Sequence, residues 1–146
     1  MSATEPPGLF FLDTNVFVYS FDSSAPAKQQ TARQLVQTAL RGQRGVISTQ
    51  VVQEFLNLAL RKFRQPMTVS DARDYLRSVL IPLCQHYPST TFYDRALLLK
   101  EETGYSWYDT LIVTAAVEAG CASLFSEDLQ SGRVVRGVTI RNPFVL

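Results

Sequence analysis

Four acidic residues, Asp13, Glu54, Asp109 and Asp128, stand where a carboxylate can do chemistry rather than solvate a surface. Asp13 interrupts the apolar run FFLDTNVFVYSF, and Asp128 closely follows a second apolar run at residues 122–125. Glu54 and Asp109 each fall near the start of an amphipathic or apolar stretch long enough to be a helix. Brought together, four like charges repel and raise one another's pKa unless a cation neutralises them. Oxygen donors with no His or Cys beside them select Mg²⁺ or Mn²⁺ over zinc or copper.

The elements that must deliver these carboxylates are legible in the pattern. Residues 9–12 form a continuous apolar run, the signature of a strand buried on both faces of a parallel sheet. Pro26 opens a first helix in which Ala32, Leu35, Val36, Ala39 and Leu40 recur at helical spacing until Gly42 and Gly45. Residues 45–48 are a second strand. Ser48 or Thr49 then caps a second helix, with Val51, Val52, Phe55, Leu58 and Ala59 on its buried face and its end before Pro66. Ser70 caps a third helix over residues 71–80, which Pro82 forbids from continuing. A short strand at 83–87 comes next, followed by a fourth helix that includes Ala96, Leu97, Leu99 and Lys100 and stops at Gly104. A fifth helix runs from Ser106 to Gly120, and strands at 122–125 and 138–141 flank a turn at 130–132. Strands alternating with helices predict an α/β fold, a three-layer α/β/α sandwich with a central, mostly parallel sheet.

Ligands of such sheets bind beyond the carboxyl ends of the strands, which is where Asp13 and Asp128 lie. At ~100° per residue, Glu54 falls beside the face formed by Val51, Phe55 and Leu58. Asp109 borders the face of Ile112, Val113 and Ala116, one and two turns further on. Each acid also has a purely structural account. Asp13 can begin a turn with Thr14 and Asn15, and Asp109 stands three residues after Ser106, as in a capping box. Glu54 can be a solvated helix residue, and Asp128 in SEDLQSG a turn or N-cap acid. Their joint arrival at one edge favours the metal site.

The chain has 146 residues, 46% of them hydrophobic, enough for one domain over residues 9–146 behind a flexible tail at 1–8. Fourteen basic residues against thirteen acidic ones neither demand nucleic acid nor exclude a local basic patch. MSATEPPG does not read as a signal peptide, and the most apolar window, residues 111–125, is broken by Glu118 and Gly120 and falls short of the ~20 residues of a membrane span. Isolated Cys84 and Cys121 are expected as reduced, buried thiols of a soluble cytoplasmic protein. His86, the only histidine, is read as a surface or turn residue beside Pro88, so no histidine acid–base pair is available. Arg61, Lys62 and Arg64 are candidates for phosphate contacts, or a solvated helix end complementing the dipole. Trp107 and Tyr108 can stack on an unpaired base or serve aromatic core or dimer packing.

The motifs FFLDTNVFVY, STQVVQEFLNLALRK, SWYDTLIVTAAVEAGC and LFSEDLQSG, in this order and spacing, resemble the PIN-domain nuclease family. The particular likeness is to VapC-type ribonuclease toxins of toxin–antitoxin pairs, and it covers nearly the whole chain after Gly8. The resemblance implies that Asp13, Glu54, Asp109 and Asp128 are the acidic metal site, with Thr14, Asn15 and Ser126 as polar support. No acidic position of the pattern is missing. It further implies Mg²⁺- or Mn²⁺-dependent cleavage of single-stranded RNA, a homodimer, and a small VapB-type antitoxin that covers the active groove. In that setting Asp13 and Asp109 are expected to hold the metal most directly, with Glu54 and Asp128 acting through water or at a second site. Three rival readings remain: a phosphatase, which wants a second Asp where Asn15 stands; a nuclease of RNA maturation; and a non-catalytic RNA- or protein-binding module.

Overall fold

Phe10, Phe11 and Leu12 have no solvent exposure, and as β1 (Phe10–Leu12) they form the middle of the sheet in the computed structural model, which describes residues 6–145. β2 (Gly45–Ser48) and β4 (Ser123–Phe125) pair in parallel on either side of β1. β3 (Cys84–His86) extends the sheet beyond β2, and β6 (Val138–Arg141) extends it beyond β4. The described strands thus run in the order β3-β2-β1-β4-β6-β5, with β5 (Val134–Val135) the sole antiparallel member. This is the expected mostly parallel α/β sheet flanked by helices. The chain winds outward through β1, β2 and β3 and then returns to place β4 on the other flank of β1. That reversal makes the crevice above β1 and β4 the topological switch point.

Of the predicted tail, residues 1–5 lie outside the described residues. The carbonyls of Pro6 and Gly8 accept hydrogen bonds from the Arg44 guanidinium at 2.7 and 3.1 Å.

Helices α2 (Pro26–Gly42) and α3 (Thr49–Arg61) match the sequence reading. Four features depart from it. A short helix, α1 (Thr14–Tyr19), begins immediately after β1, where a turn was the alternative for Asp13 to Asn15. Thr68, rather than Ser70, caps α4 (Val69–Tyr75), its hydroxyl accepting from the Asp71 N–H at 3.0 Å. The expected stop before Pro82 does not occur. The coil widens into a π-helical stretch, Leu76–Leu80, in which the Ile81 N–H bonds back to the Leu76 carbonyl, and the looser turn accommodates the Pro82 ring and its missing N–H within α5 (Ile81–Leu83). Finally, β5 and β6 form a hairpin through Arg136 and Gly137, both at positive φ, as a two-residue turn requires.

On the other flank, α6 (Thr90–Thr103) ends at Gly104 in the left-handed region with φ 74°, and α7 (Trp107–Glu118) follows at once. α7 is buried on all sides through its middle, every residue from 110 to 116 being inaccessible to solvent or nearly so. Its two threonines satisfy their hydroxyls within the helix, Thr110 donating to the Ser106 carbonyl at 2.8 Å and Thr114 to the Thr110 carbonyl at 2.7 Å. Both cysteines are buried free thiols, and burial pushes the Cys121 thiol up to about 12. No described helix is long and apolar enough to cross a membrane.

Gly45 opens β2 against the α2 backbone, where an added Cβ would lie 2.9 Å from the Ala39 Cα and closer still to its Cβ. Gly45→Ala therefore forces α2 and β2 apart and is expected to destabilise the fold by roughly 1–3 kcal/mol in urea unfolding. An unchanged midpoint would show that the two elements are not in rigid contact.

Candidate functional site

The side chains of Asp13, Glu54, Asp109 and Asp128 all line one open cavity of about 600 Å³ at the carboxyl edge of the sheet. Each arrives there for a local reason. Asp13 directly follows β1 and N-caps α1; its backbone N–H continues the sheet ladder to the Phe125 carbonyl at 3.0 Å. Glu54 sits on the second turn of α3, which starts at this edge because β2 has just ended there. Asp109 lies in the first turn of α7, its N–H capped at 3.3 Å by the Ser106 hydroxyl, so capping geometry and a position on the cavity wall coexist. Asp128 follows β4 across Ser126 and Glu127.

A chain of hydrogen bonds ties three of the acids together. The Asp13 carboxylate accepts from the Thr14 N–H and from the Ser126 hydroxyl, each at 2.7 Å. The Thr14 hydroxyl donates to Glu54 at 2.8 Å. The Ser126 oxygen in turn accepts the Asp128 N–H at 3.2 Å, and Asn15 Nδ2 donates to the Asp128 carboxylate at 3.2 Å. Thr14, Asn15 and Ser126 thus each touch an acid. The Asn15 Oδ1 is buried beside them with no hydrogen-bond partner.

Asp13 is the electrostatic centre of this chain. At 6% exposure, its burial pushes the carboxyl up to about 6; the bonds from Ser126 and Thr14 oppose that rise, and the charges of Glu54 and Asp128 add to it. As the side chains stand, no three acidic, His or Cys groups among the described residues close on a common metal position. The donors are nonetheless all hard oxygens, and the unpartnered Asn15 oxygen adds one more beside them.

Other candidates are placed differently. Arg61, Lys62 and Arg64 are exposed at and just beyond the far end of α3, and none lines the cavity. Trp107 is half-buried against the core, whereas Tyr108 is 66% exposed and forms part of the cavity wall. His86 is not a surface residue. It is buried in β3 with its Nε2 2.8 Å from Glu118, its ring against Phe92, and Arg95 holding the other Glu118 oxygen at 2.9 Å. A neighbouring Pro suggested a turn, but β3 pairs with β2 here and draws the imidazole inside.

Five polar lining residues escaped the sequence reading: Tyr19, Asp22, Gln50, Asn57 and Glu127. Gln50 and Asn57 carried a usable signal, since they lie one turn before and three residues after Glu54 on α3. Gln50 Nε2 donates to the Tyr108 carbonyl at 3.2 Å, fastening the start of α7 to α3. Tyr19 and Asp22 depended on recognising α1. Glu127, half-buried between Ser126 and Asp128, is held low by its bond to Lys28.

Residues 10–136 match the PIN-domain family, and the chain belongs to it. A search of curated proteins found no match. Among solved structures, a chain of a toxin–antitoxin complex from Klebsiella pneumoniae superimposes with a TM-score of 0.65 at 17% identity, over 91% of this chain and 96% of that one. VapC20 of Mycobacterium tuberculosis, described as a sarcin–ricin loop cleaving toxin, superimposes with a TM-score of 0.53 at 18% identity, over 82% of this chain and 91% of that one. At these identities the likeness establishes a shared fold.

The raised Asp13 pKa sets a pH dependence in metal-free buffer. The folded chain keeps this proton up to about pH 6, whereas the unfolded chain releases it near 3.8. The contribution to stability is full below pH 3.8, falls as pH rises, and is lost once pH passes about 6, a change on the order of 3 kcal/mol. Asp13→Asn keeps an N-cap acceptor and removes the titration, so urea unfolding between pH 4 and 7.5 should show a flatter profile for the variant. Parallel profiles in the two proteins would contradict a buried, titrating Asp13.

Proposed function

We propose that the chain is a metal-dependent endoribonuclease that cleaves single-stranded RNA, and that it acts as the toxin of a toxin–antitoxin pair. The observation that carries this reading is the convergence of Asp13, Glu54, Asp109 and Asp128 on one cavity at the switch point of a PIN-domain sheet. Histidine acid–base catalysis is not open to a single chain, because its one histidine is buried in β3 and engaged with Glu118 away from the cavity.

The all-oxygen donor set suits Mg²⁺ or Mn²⁺, with Asp13 and Asp109 as the direct ligands and Glu54 and Asp128 acting through water or at a second site. When bound, such an ion lowers the pKa of a coordinated water and offsets the charge that builds on the phosphate. The residues of the chain prepare that chemistry. Ser126 and the Thr14 N–H hold the Asp13 carboxylate in one orientation, and Thr14 and Asn15 do the same for Glu54 and Asp128. Tyr108 offers an exposed ring at the wall on which an unpaired base can lie.

The toxin assignment draws support from the two structural neighbours, one a member of a toxin–antitoxin complex and the other described as a sarcin–ricin loop cleaving toxin. It brings with it a small VapB-type antitoxin covering the groove, a homodimer, and a cytoplasmic site of action. An adjacent short reading frame encoding a DNA-binding protein would separate this role from RNA maturation.

Incubating the purified protein with a mixed RNA pool in Mg²⁺, Mn²⁺ or chelator tests the activity. Cleavage should require the ion and fall by roughly two orders of magnitude or more in Asp13→Asn and Asp109→Asn proteins that remain folded. Equal cutting by wild type and both variants would reject the site.

A further inference from the structure

Six carboxylates line the cavity: Asp13, Asp22, Glu54, Asp109, Glu127 and Asp128, with no lysine or arginine among the lining residues. A nucleic acid strand approaching it meets charge of its own sign. Among the described residues, one cation is hydrogen-bonded to the side chains of the wall. Lys28 Nζ lies 2.5 Å from Glu127 Oε2 and 3.3 Å from the Tyr19 hydroxyl, and that hydroxyl itself donates to Glu127 Oε1 at 2.8 Å.

The lysine is built into this position. Its ammonium lies over the Tyr19 ring at 4.7 Å and over Phe144 at 5.7 Å, and those two rings pack edge to face. An ammonium has three N–H donors; Glu127 and Tyr19 engage two, and with 39% of the side chain exposed the third is open to a ligand. Lys28 also stands in the first turn of α2, where a positive charge opposes the helix dipole; that turn contains no acid and no side-chain cap. Helix stability does not account for a lysine there. Since α2 ends where β2 begins, its start lies toward the carboxyl edge of the sheet, on the same side as the cavity.

We propose that Lys28 binds a backbone phosphate of the RNA strand next to the phosphodiester held at the carboxylates, and so sets the side of the cavity along which the strand runs. This rests on the nuclease reading of the same cavity. Glu127 and Tyr19 are positioning residues: they neutralise and orient the ammonium, and the strand phosphate takes the donor left free.

The test measures binding without cutting, by anisotropy of a labelled mixed-sequence single-stranded RNA in Mg²⁺, on an Asp109→Asn background. Adding Lys28→Met, which keeps the stem on the two rings, should raise Kd roughly three- to tenfold and make the slope of log K against log salt shallower by about 0.7, one phosphate contact. Lys28→Arg should restore both. Unchanged Kd and slope, including the case in which only thermal stability falls, would reduce the Lys28–Glu127 pair to a structural pin and overturn the proposal. Wild-type cleavage of the same RNA separates the two levels. A wild type that cuts while Lys28→Met binds normally defeats only the Lys28 assignment, whereas a wild type that neither cuts nor binds defeats the nuclease reading and this inference with it.

Discussion

A carboxylate buried at the end of a fully apolar strand is the constraint around which this molecule is organised. Asp13 is 6% exposed, and a charge so placed is tolerated only where fixed donors meet it. Both donors come from chain geometry. The Thr14 N–H is available because α1 starts on the next residue, and the Ser126 hydroxyl arrives because β4 runs parallel to β1 in a register that pairs Leu12 with Phe125. A shift of one residue in that register would direct the Ser126 side chain away from Asp13 and leave a buried carboxylate half satisfied. Strand pairing and site assembly are therefore one requirement, not two.

The same dependence spreads outward through Asp13, Thr14 and Asn15, three consecutive residues with three separate partners. Asp13 engages β4 through Ser126, Thr14 engages α3 through Glu54, and Asn15 engages the loop after β4 through Asp128. In a helical first turn successive side chains fan out at about 100° intervals, which is what lets neighbours in sequence reach different elements. An extended or turn conformation would direct them otherwise. α1 spans only Thr14–Tyr19, yet it orients the polar groups that link three parts of the fold.

Much of this was legible beforehand, and what was not has identifiable physical causes. Long periodic segments such as α2, and fully apolar strands such as β1 and β2, announce themselves because burial fixes their pattern. α1 does not, because it is only six residues long and its apolar residues Val16, Phe17 and Val18 resume the strand's hydrophobic run after just three polar residues. Pro82 misled because the rule against proline in helices assumes α geometry, and the preceding turn is a π turn. Of the cavity's lining, the four acids could be inferred from their places after strands and at helix starts. Glu127 and Lys28 could not, since their meeting joins residues 99 apart in sequence through a tertiary contact with no periodic trace.

The whole-chain charge of +1 conceals a strong local asymmetry. Six of the thirteen acidic residues line a single cavity, which leaves the basic residues in excess over the rest of the surface. On the proposed reading, in which the substrate is a polyanion, this arrangement separates attraction from chemistry. The outer surface would then draw a strand in through fields that salt screens over about 8–10 Å, while the cavity itself would repel it until its carboxylates are offset. Burial is the main reason that the Asp13 pKa is raised, and the neighbouring charges of Glu54 and Asp128 add to it. On the proposed reading, the cation that activates water and the cation that lets a phosphate enter are the same requirement. Lys28, already matched to Glu127, then determines which wall of the cavity a strand can follow.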